Sequence, residues 1–269
     1  MIEQQTVESA KEWVRTGENW ITKGAPNLGM NYLDKAIPVF REVGDDAWLT
    51  YTLHQKLKAY REQNQYEQVE QLFDEVMAGY MRLEDNYGKG LLLMHRAESN
   101  AQEGQPDRAL ATLNMALEIS ERDALKDLCA YILRDMAEVY HERGSFVQAV
   151  RLLRQAELHL DEIEHAHESV HVRQLIAESL AAMGEQGEAI ALLEDVQSKL
   201  QAAERYRELV KPLTLLSKLY GATGATADKE RVGQLLHWSA QRVIHEDVPP
   251  DTRPSPRRYS ALIGGKRRR

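Results

Sequence analysis

The chain has 269 residues, 43% of them hydrophobic, with 34 Lys/Arg against 42 Asp/Glu and a formal net charge of -8. That is enough apolar material to bury a large core as one domain or one elongated array, while a lone cysteine, Cys129, excludes an internal disulfide. The charge is uneven: from Asp251 to Arg269 seven Lys/Arg stand against one acid, so a body of charge −14 precedes a segment of charge +6.

Ala, Leu, Glu, Gln and Arg dominate, a mixture with high helix propensity and little of the β-branched enrichment of strands. The opening MIEQQTVESAKEW has no basic start ahead of an apolar run, which predicts no signal peptide. No window approaches the uninterrupted apolar length of a membrane span. A single thiol among helical apolar residues reads as a small buried hydrophobe in a reducing compartment, so the expected location is cytoplasmic.

Taken in order, the chain repeats itself every forty residues. The first copy reads Gly17, Glu18, Gly24, Gly29, Leu33, Ala36, and the second Leu57, Lys58, Asn64, Val69, Phe73, Val76. The third is Ala97, Glu98, Gly104, Ala109, Leu113, Ala116, and the fourth Ala137, Glu138, Gly144, Ala149, Leu153, Ala156. The fifth is Ala177, Glu178, Gly184, Ala189, Leu193, Val196, and the sixth Ser217, Lys218, Gly224, Lys229, Gly233, Leu236. A fixed period without insertion or deletion is the signature of a repeat architecture.

Each copy is predicted to hold two helices. In the third, Leu91, Leu92, Met94, Ala97 and Ala101 recur at helical spacing before Gly104 interrupts. Pro106 and Asp107 then start a second helix whose apolar face is Ala109, Leu110, Leu113, Ala116 and Leu117. Small residues such as Ala97 and Ala109 let the two backbones approach. Gly at the end of the first helix, and Asn64 in the second copy, suit a left-handed backbone. The outermost copies diverge most, as end-capping repeats should. Gly24–Ala25–Pro26 and Gly29 are expected to loosen the first. In the last copy, Val232, Leu235, Leu236, Ala240, Val243 and Ile244 are expected to close the core.

This skeleton, with an aromatic at Trp20, Tyr60, Tyr140 and Tyr220 and departures at Asn100 and Leu180, resembles the tetratricopeptide repeat (TPR) over roughly Lys11–Ile244. The resemblance implies an all-α fold, a right-handed α-solenoid of about six helix pairs over residues 1–246. The family's usual unit has thirty-four residues, so the extra length is expected in longer helices and in connections such as Arg122–Asp123 or Asp161–His165. It looks like the long-repeat variety of kinesin light chains, cell-polarity adaptors and Rap-type peptide receptors.

What the resemblance implies about function is a groove lined by the first helix of each pair. Carried over, the partner-binding positions are Tyr51, His54, Lys58 and Arg61; Leu91, Met94 and Glu98; Tyr131, Arg134, Glu138 and His141; His171, Gln174 and Glu178; and Lys211, Thr214 and Lys218. Glu98, Glu138 and Glu178 recur as three rungs, which would favour a protein or peptide partner bearing Lys or Arg; solvated helix positions are the alternative. The Lys/Asn pattern with which some relatives hold a terminal carboxylate is missing.

His167-Glu168-Ser169-Val170-His171 is formally a zinc-protease string, with both imidazoles on one helical face. It opens the first helix of an ordinary repeat and shows no third ligand, so solvated or groove histidines are expected there, with His167 and His171 as a minor metal alternative. No phosphate-binding glycine loop or nucleophilic triad can be assembled, and no cofactor is implied. Residues 247–269 are Pro-rich, basic and predicted disordered. Arg257, Arg258, Lys266, Arg267, Arg268 and Arg269 could contact an acidic partner, nucleic acid, or this protein's own acidic groove. The expectation is a non-catalytic scaffold or adaptor. A Rap-like peptide receptor is the alternative, although Met1–Lys11 leaves no room for the N-terminal effector segment of such receptors.

Overall fold

The turns explain why the chain forms helix pairs. The computed structural model describes residues 4–163 and 166–243, and among them twelve helices follow one another without a strand. The first three pairs are α1 (Gln4–Thr22) with α2 (Pro26–Val43), α3 (Asp46–Glu62) with α4 (Tyr66–Arg82), and α5 (Asn86–Gln102) with α6 (Pro106–Arg122). The next three are α7 (Lys126–Glu142) with α8 (Phe146–Glu162), α9 (Ala166–Met183) with α10 (Gln186–Ala202), and α11 (Tyr206–Thr223) with α12 (Thr226–Val243).

Within each pair the first helix ends in one left-handed residue: Gly24, Asn64, Gly104, Gly144, Gly184 and Gly224, with φ between 57° and 87°. The amide that follows bonds back to the carbonyl five residues earlier, as in Gln105 N–H to Asn100 O at 2.8 Å and Ser145 N–H to Tyr140 O at 2.8 Å. Between pairs, Gly44 plays this part once, but Glu84, Ala124 and Glu204 adopt positive φ of 53°, 52° and 57° without being glycine. Asp45 and Asp85 cap α3 and α5 by accepting from Trp48 N–H at 3.1 Å and Gly88 N–H at 2.8 Å.

The extra length of the repeat lies in the helices, which run to 17 residues or more. The connection at Arg122–Asp123 is as short as the other described ones, contrary to the sequence expectation; the expected longer one at Asp161–His165 includes residues outside those described. Helices pack longer ridges against one another when they lengthen, whereas a longer loop would bury nothing.

The chain divides into two compact units, residues up to Ala116 and residues from Leu117. In the first, α1 packs on α2, α2 on α3, α3 on α4 and α4 on α5, and α3 also meets α1 and α5. Gly29 does not loosen the first pair. A Cβ there would lie 2.5 Å from Ile21 Cγ1 and 2.6 Å from the Gly17 carbonyl oxygen, while one on Gly17 would lie 2.8 Å from the Gly29 carbonyl oxygen. The two glycines bring the backbones closer than an alanine would allow. Leu33, Ala36 and Phe40 are fully buried beside them.

In the second unit, Ala137 with Ala149 and Ala177 with Ala189 take the corresponding places, each at most 1% exposed. Leu153, Ile176, Leu193 and Leu213 fill the layers between. Cys129 is buried and donates to Ser120 Oγ at 3.2 Å, and burial pushes its thiol up from the usual range. The last helix closes the core only along one edge: Val232 is buried, Leu235 and Leu236 are half-buried, and Ala240 is exposed. Ile244 and the whole 247–269 segment, with the tail cations named above, lie outside the described residues.

Candidate first-helix face

The positions carried over from the repeat fall on α3, α5, α7, α9 and α11, and the two units treat them differently. In the first unit, α3 is buried on nearly all sides, including Thr50, Tyr51, Thr52, His54, Gln55 and Arg61. Tyr51, His54 and Met94 are each at most 8% exposed, so these three do not line an open surface. Lys58 and Leu91 are half-buried.

A train of polar contacts runs through this unit. Tyr51 Oη donates to Glu18 Oε2 at 2.9 Å, and the carboxylate together with burial holds the phenol well above its usual pKa. His54 Nδ1 lies 2.5 Å from Tyr80 Oη on α4, and its ring stands edge-on to His95 at 5.2 Å between centroids. Arg61 Nη1 donates to His95 Nδ1 at 2.6 Å and also pairs with Glu98. Burial, then the charges of Lys58 and Arg61, push His54 down to about 3. Its Nε2 is buried with no hydrogen-bond partner among the described residues.

In the second unit part of the corresponding face is open. Side-chain exposure is 52% for Glu138, 38% for His171 and 66% for Lys211, and Lys218 is exposed. Tyr131 is buried beneath Arg134, whose guanidinium lies 5.5 Å from its ring. Arg134 donates to Asp135 Oδ1 at 2.7 Å and lies 3.9 Å from Glu138; burial opposes its charge, but these carboxylates outweigh it and raise its pKa. His141 Nδ1 lies 2.9 Å from Ser179 Oγ on α9, and His171 Nε2 is 3.3 Å from Glu208 Oε2 on α11. Gln174, buried, donates to Glu178 at 2.9 Å, and Lys211 reaches the same carboxylate from the next helix pair at 2.9 Å. Thr214 Oγ1 donates to its own helix at Val210 O.

Each of the three carboxylate rungs is therefore occupied: Glu98 by Arg61, Glu138 by Arg134, and Glu178 by Lys211 and Gln174. Glu18 is a further rung of the same kind. Its contact to Tyr51 and that of Glu178 to Lys211 both span thirty-three residues, so one register ties a rung to the next first helix in each unit. Sequence reasoning missed His95, Tyr80 and Glu208. His95 and Glu208 lie on first-helix positions that the repeat pattern leaves variable, and Tyr80 comes from a second helix. Among the described residues no group of three His, Cys, Asp or Glu is arranged to hold a metal ion. The His167 side chain is outside them. No described helix is long and apolar enough to cross a membrane.

Comparison with known proteins places this geometry. Residues 90–157 match the family model described as "Tetratricopeptide repeat". No curated protein sequence matches the chain. Among solved structures, BtubC (BKLC) from P. vanneervenii aligns at 14% identity over 95% of this chain and 97% of its own, with a TM-score of 0.69. A signal-transduction ATPase with numerous domains and a tetratricopeptide repeat sensor, from Pyrococcus horikoshii, aligns at 12% identity over 89% of this chain and 37% of its own, TM-score 0.72. A Rap protein complexed with competence and sporulation factor aligns at 12% identity over 91% of this chain and 67% of its own, TM-score 0.64. At such identities the likeness speaks for the fold. The matched segment stands in register with helix pairs on either side of it, so the chain has the fold of tetratricopeptide-repeat helix pairs, in forty-residue units.

Proposed function

We propose that the protein is a non-catalytic interaction scaffold that holds a peptide or helical segment bearing Lys or Arg against the faces of α7, α9 and α11. The observation that carries this reading is the set of exposed charged and polar first-helix side chains in the second unit. Glu138, His171 and Lys211 are substantially exposed in the second, while Tyr51, His54 and Met94 are buried in the first. Glu138 is 52% exposed at its side chain, so an incoming cation can compete for it at little cost.

The test is fluorescence anisotropy of a labelled peptide of alternating Lys and Ala on the full chain at low salt. Replacing Glu138 and Glu178 together by Lys is expected to weaken binding by about tenfold or more; unchanged affinity would overturn the reading. If the basic tail occupies the same face, deleting Arg253–Arg269 will strengthen peptide binding. A second reading, a regulatory receptor that closes on a short peptide, draws support from the likeness to the Rap protein complexed with competence and sporulation factor. It calls for compaction on peptide binding, measurable by small-angle scattering. A metal role at His167 and His171 is tested by metal analysis of the purified protein beside His171→Ala.

A further inference from the structure

We propose that His54, His95, Arg61 and Glu98 form a proton-sensitive latch holding α3 against α5 in the first unit. Arginine is protonated at every pH of interest and offers only N–H groups. Its 2.6 Å contact to His95 Nδ1 therefore makes that nitrogen an acceptor, so His95 is neutral with its proton on Nε2. Protonating Nδ1 would set an N–H against the guanidinium and add a second positive charge beside it, and the bond would be lost.

His54 adds to the same demand. It is buried at 5% exposure, its Nδ1 is engaged with Tyr80, and its Nε2 has no partner among the described residues to receive a new proton. The charged and titratable groups facing the two rings are Lys58 and Arg61 on α3, Tyr80 on α4 and Glu98 on α5; Glu18 on α1 is engaged by Tyr51. Lys58 and Arg61 both oppose a proton on His54, and the Arg61 guanidinium opposes one on His95. When Arg61 lets go of His95, its grip on Glu98 weakens too, because one guanidinium position serves both contacts.

The sign follows from the neutral rings. An unfolded histidine titrates near 6.5, whereas His54 stays neutral in the folded protein down to about 3. The open form therefore binds more protons between these values, and the latch is fully closed above the unfolded pKa and loosens as pH falls below it. At pH 5.5, one unit below that pKa, opening becomes about tenfold more favourable for each histidine held neutral. Opening α3 from α5 would uncover the Tyr51, His54 and Met94 face that is closed at neutral pH. This holds whether or not the second unit binds a peptide.

The experiment is amide hydrogen exchange of the full chain at pH 7.5 and 5.5, corrected for the intrinsic pH dependence, on the wild type and His95→Gln. The glutamine carbonyl can accept from Arg61 and does not titrate. In the wild type, the opening constants of α3 and α5 are expected to rise about tenfold or more on acidification; in His95→Gln the rise should be smaller, and in His54→Gln/His95→Gln it should vanish. Equal protection of α3 and α5 at both pH values in the wild type, or an undiminished rise in His95→Gln, overturns the latch. Should the variants not fold, the nitrogen-15 shift of His95 in the wild type at pH 7.5 decides: a protonated Nδ1 overturns the proposal and an unprotonated Nδ1 upholds it.

Discussion

At the scale of single residues, Glu98 and Glu138 look alike in sequence and differ in the folded chain. Arg61 is 4% exposed and depends on Glu98 for its counter-charge. Removing a partner from such a pair leaves a buried charge without compensation, which costs several kcal/mol. Because Glu98 itself is 37% exposed, Glu98→Ala is expected to lower unfolding stability by about 2–3 kcal/mol in a urea titration. Glu138 is 52% exposed and sits 3.9 Å from Arg134, so Glu138→Ala should stay within about 0.5 kcal/mol of the wild type. Equal costs would mean that the two rungs share one role. Tyr220 shows burial acting on another polar group: burial and its 2.5 Å bond to Glu194 push the phenol up to about 12, so it donates that bond across the neutral range.

At the scale of elements, the helix turns separate what composition can show from what it hides. Asn64 and the glycines at the matching positions are left-handed as their residue types suggest. Glu84, Ala124 and Glu204 carry the same backbone without the residue that favours it. A left-handed residue with a Cβ costs about 1–2 kcal/mol, offset in part by the greater chain entropy of glycine. Glu204→Gly is therefore expected to raise stability by roughly 0.5–1 kcal/mol, read as a shift of the thermal midpoint. Gly29 makes the opposite prediction. A methyl placed 2.6 Å from the Gly17 carbonyl oxygen must push α1 from α2, so Gly29→Ala should cost about 2 kcal/mol, although alanine is the better helix former. A neutral or stabilising result would show that the pair can separate freely.

At the scale of the whole molecule, two environments arise from one repeat. In the first unit α3 is buried on nearly all sides, and its polar residues Tyr51, His54 and Arg61 reach partners on α1, α4 and α5. In the second, His171 on α9 and Lys211 on α11 stand open, while Gln174 on α9 is buried. Acidification is therefore expected to reach the first unit before the second, because the buried neutral His54 lies there. A plot of unfolding stability against pH should fall from about 6.5 downward, with the earliest loss of protection in α3 and α5. Basic-peptide binding, by contrast, should follow charge on the second unit and weaken as salt is added.

The repeat period, the twelve helices, the small residues between paired helices and the all-α class were legible in the sequence, because each follows from local spacing that recurs forty residues later. The period also aligned Glu98, Glu138 and Glu178, but it could not say what stands opposite them. That depends on side chains distant in the chain, such as Arg61, thirty-seven residues from Glu98, and Lys211, thirty-three from Glu178. Nor could it tell that Gly29 tightens a helix pair, since a glycine in a helix reads as loss of order until the carbonyl it faces is known. Local pattern determined the helices and their pairing. Only packing decided which faces are buried, because burial and the partner of each charge are properties of neighbours distant in the chain.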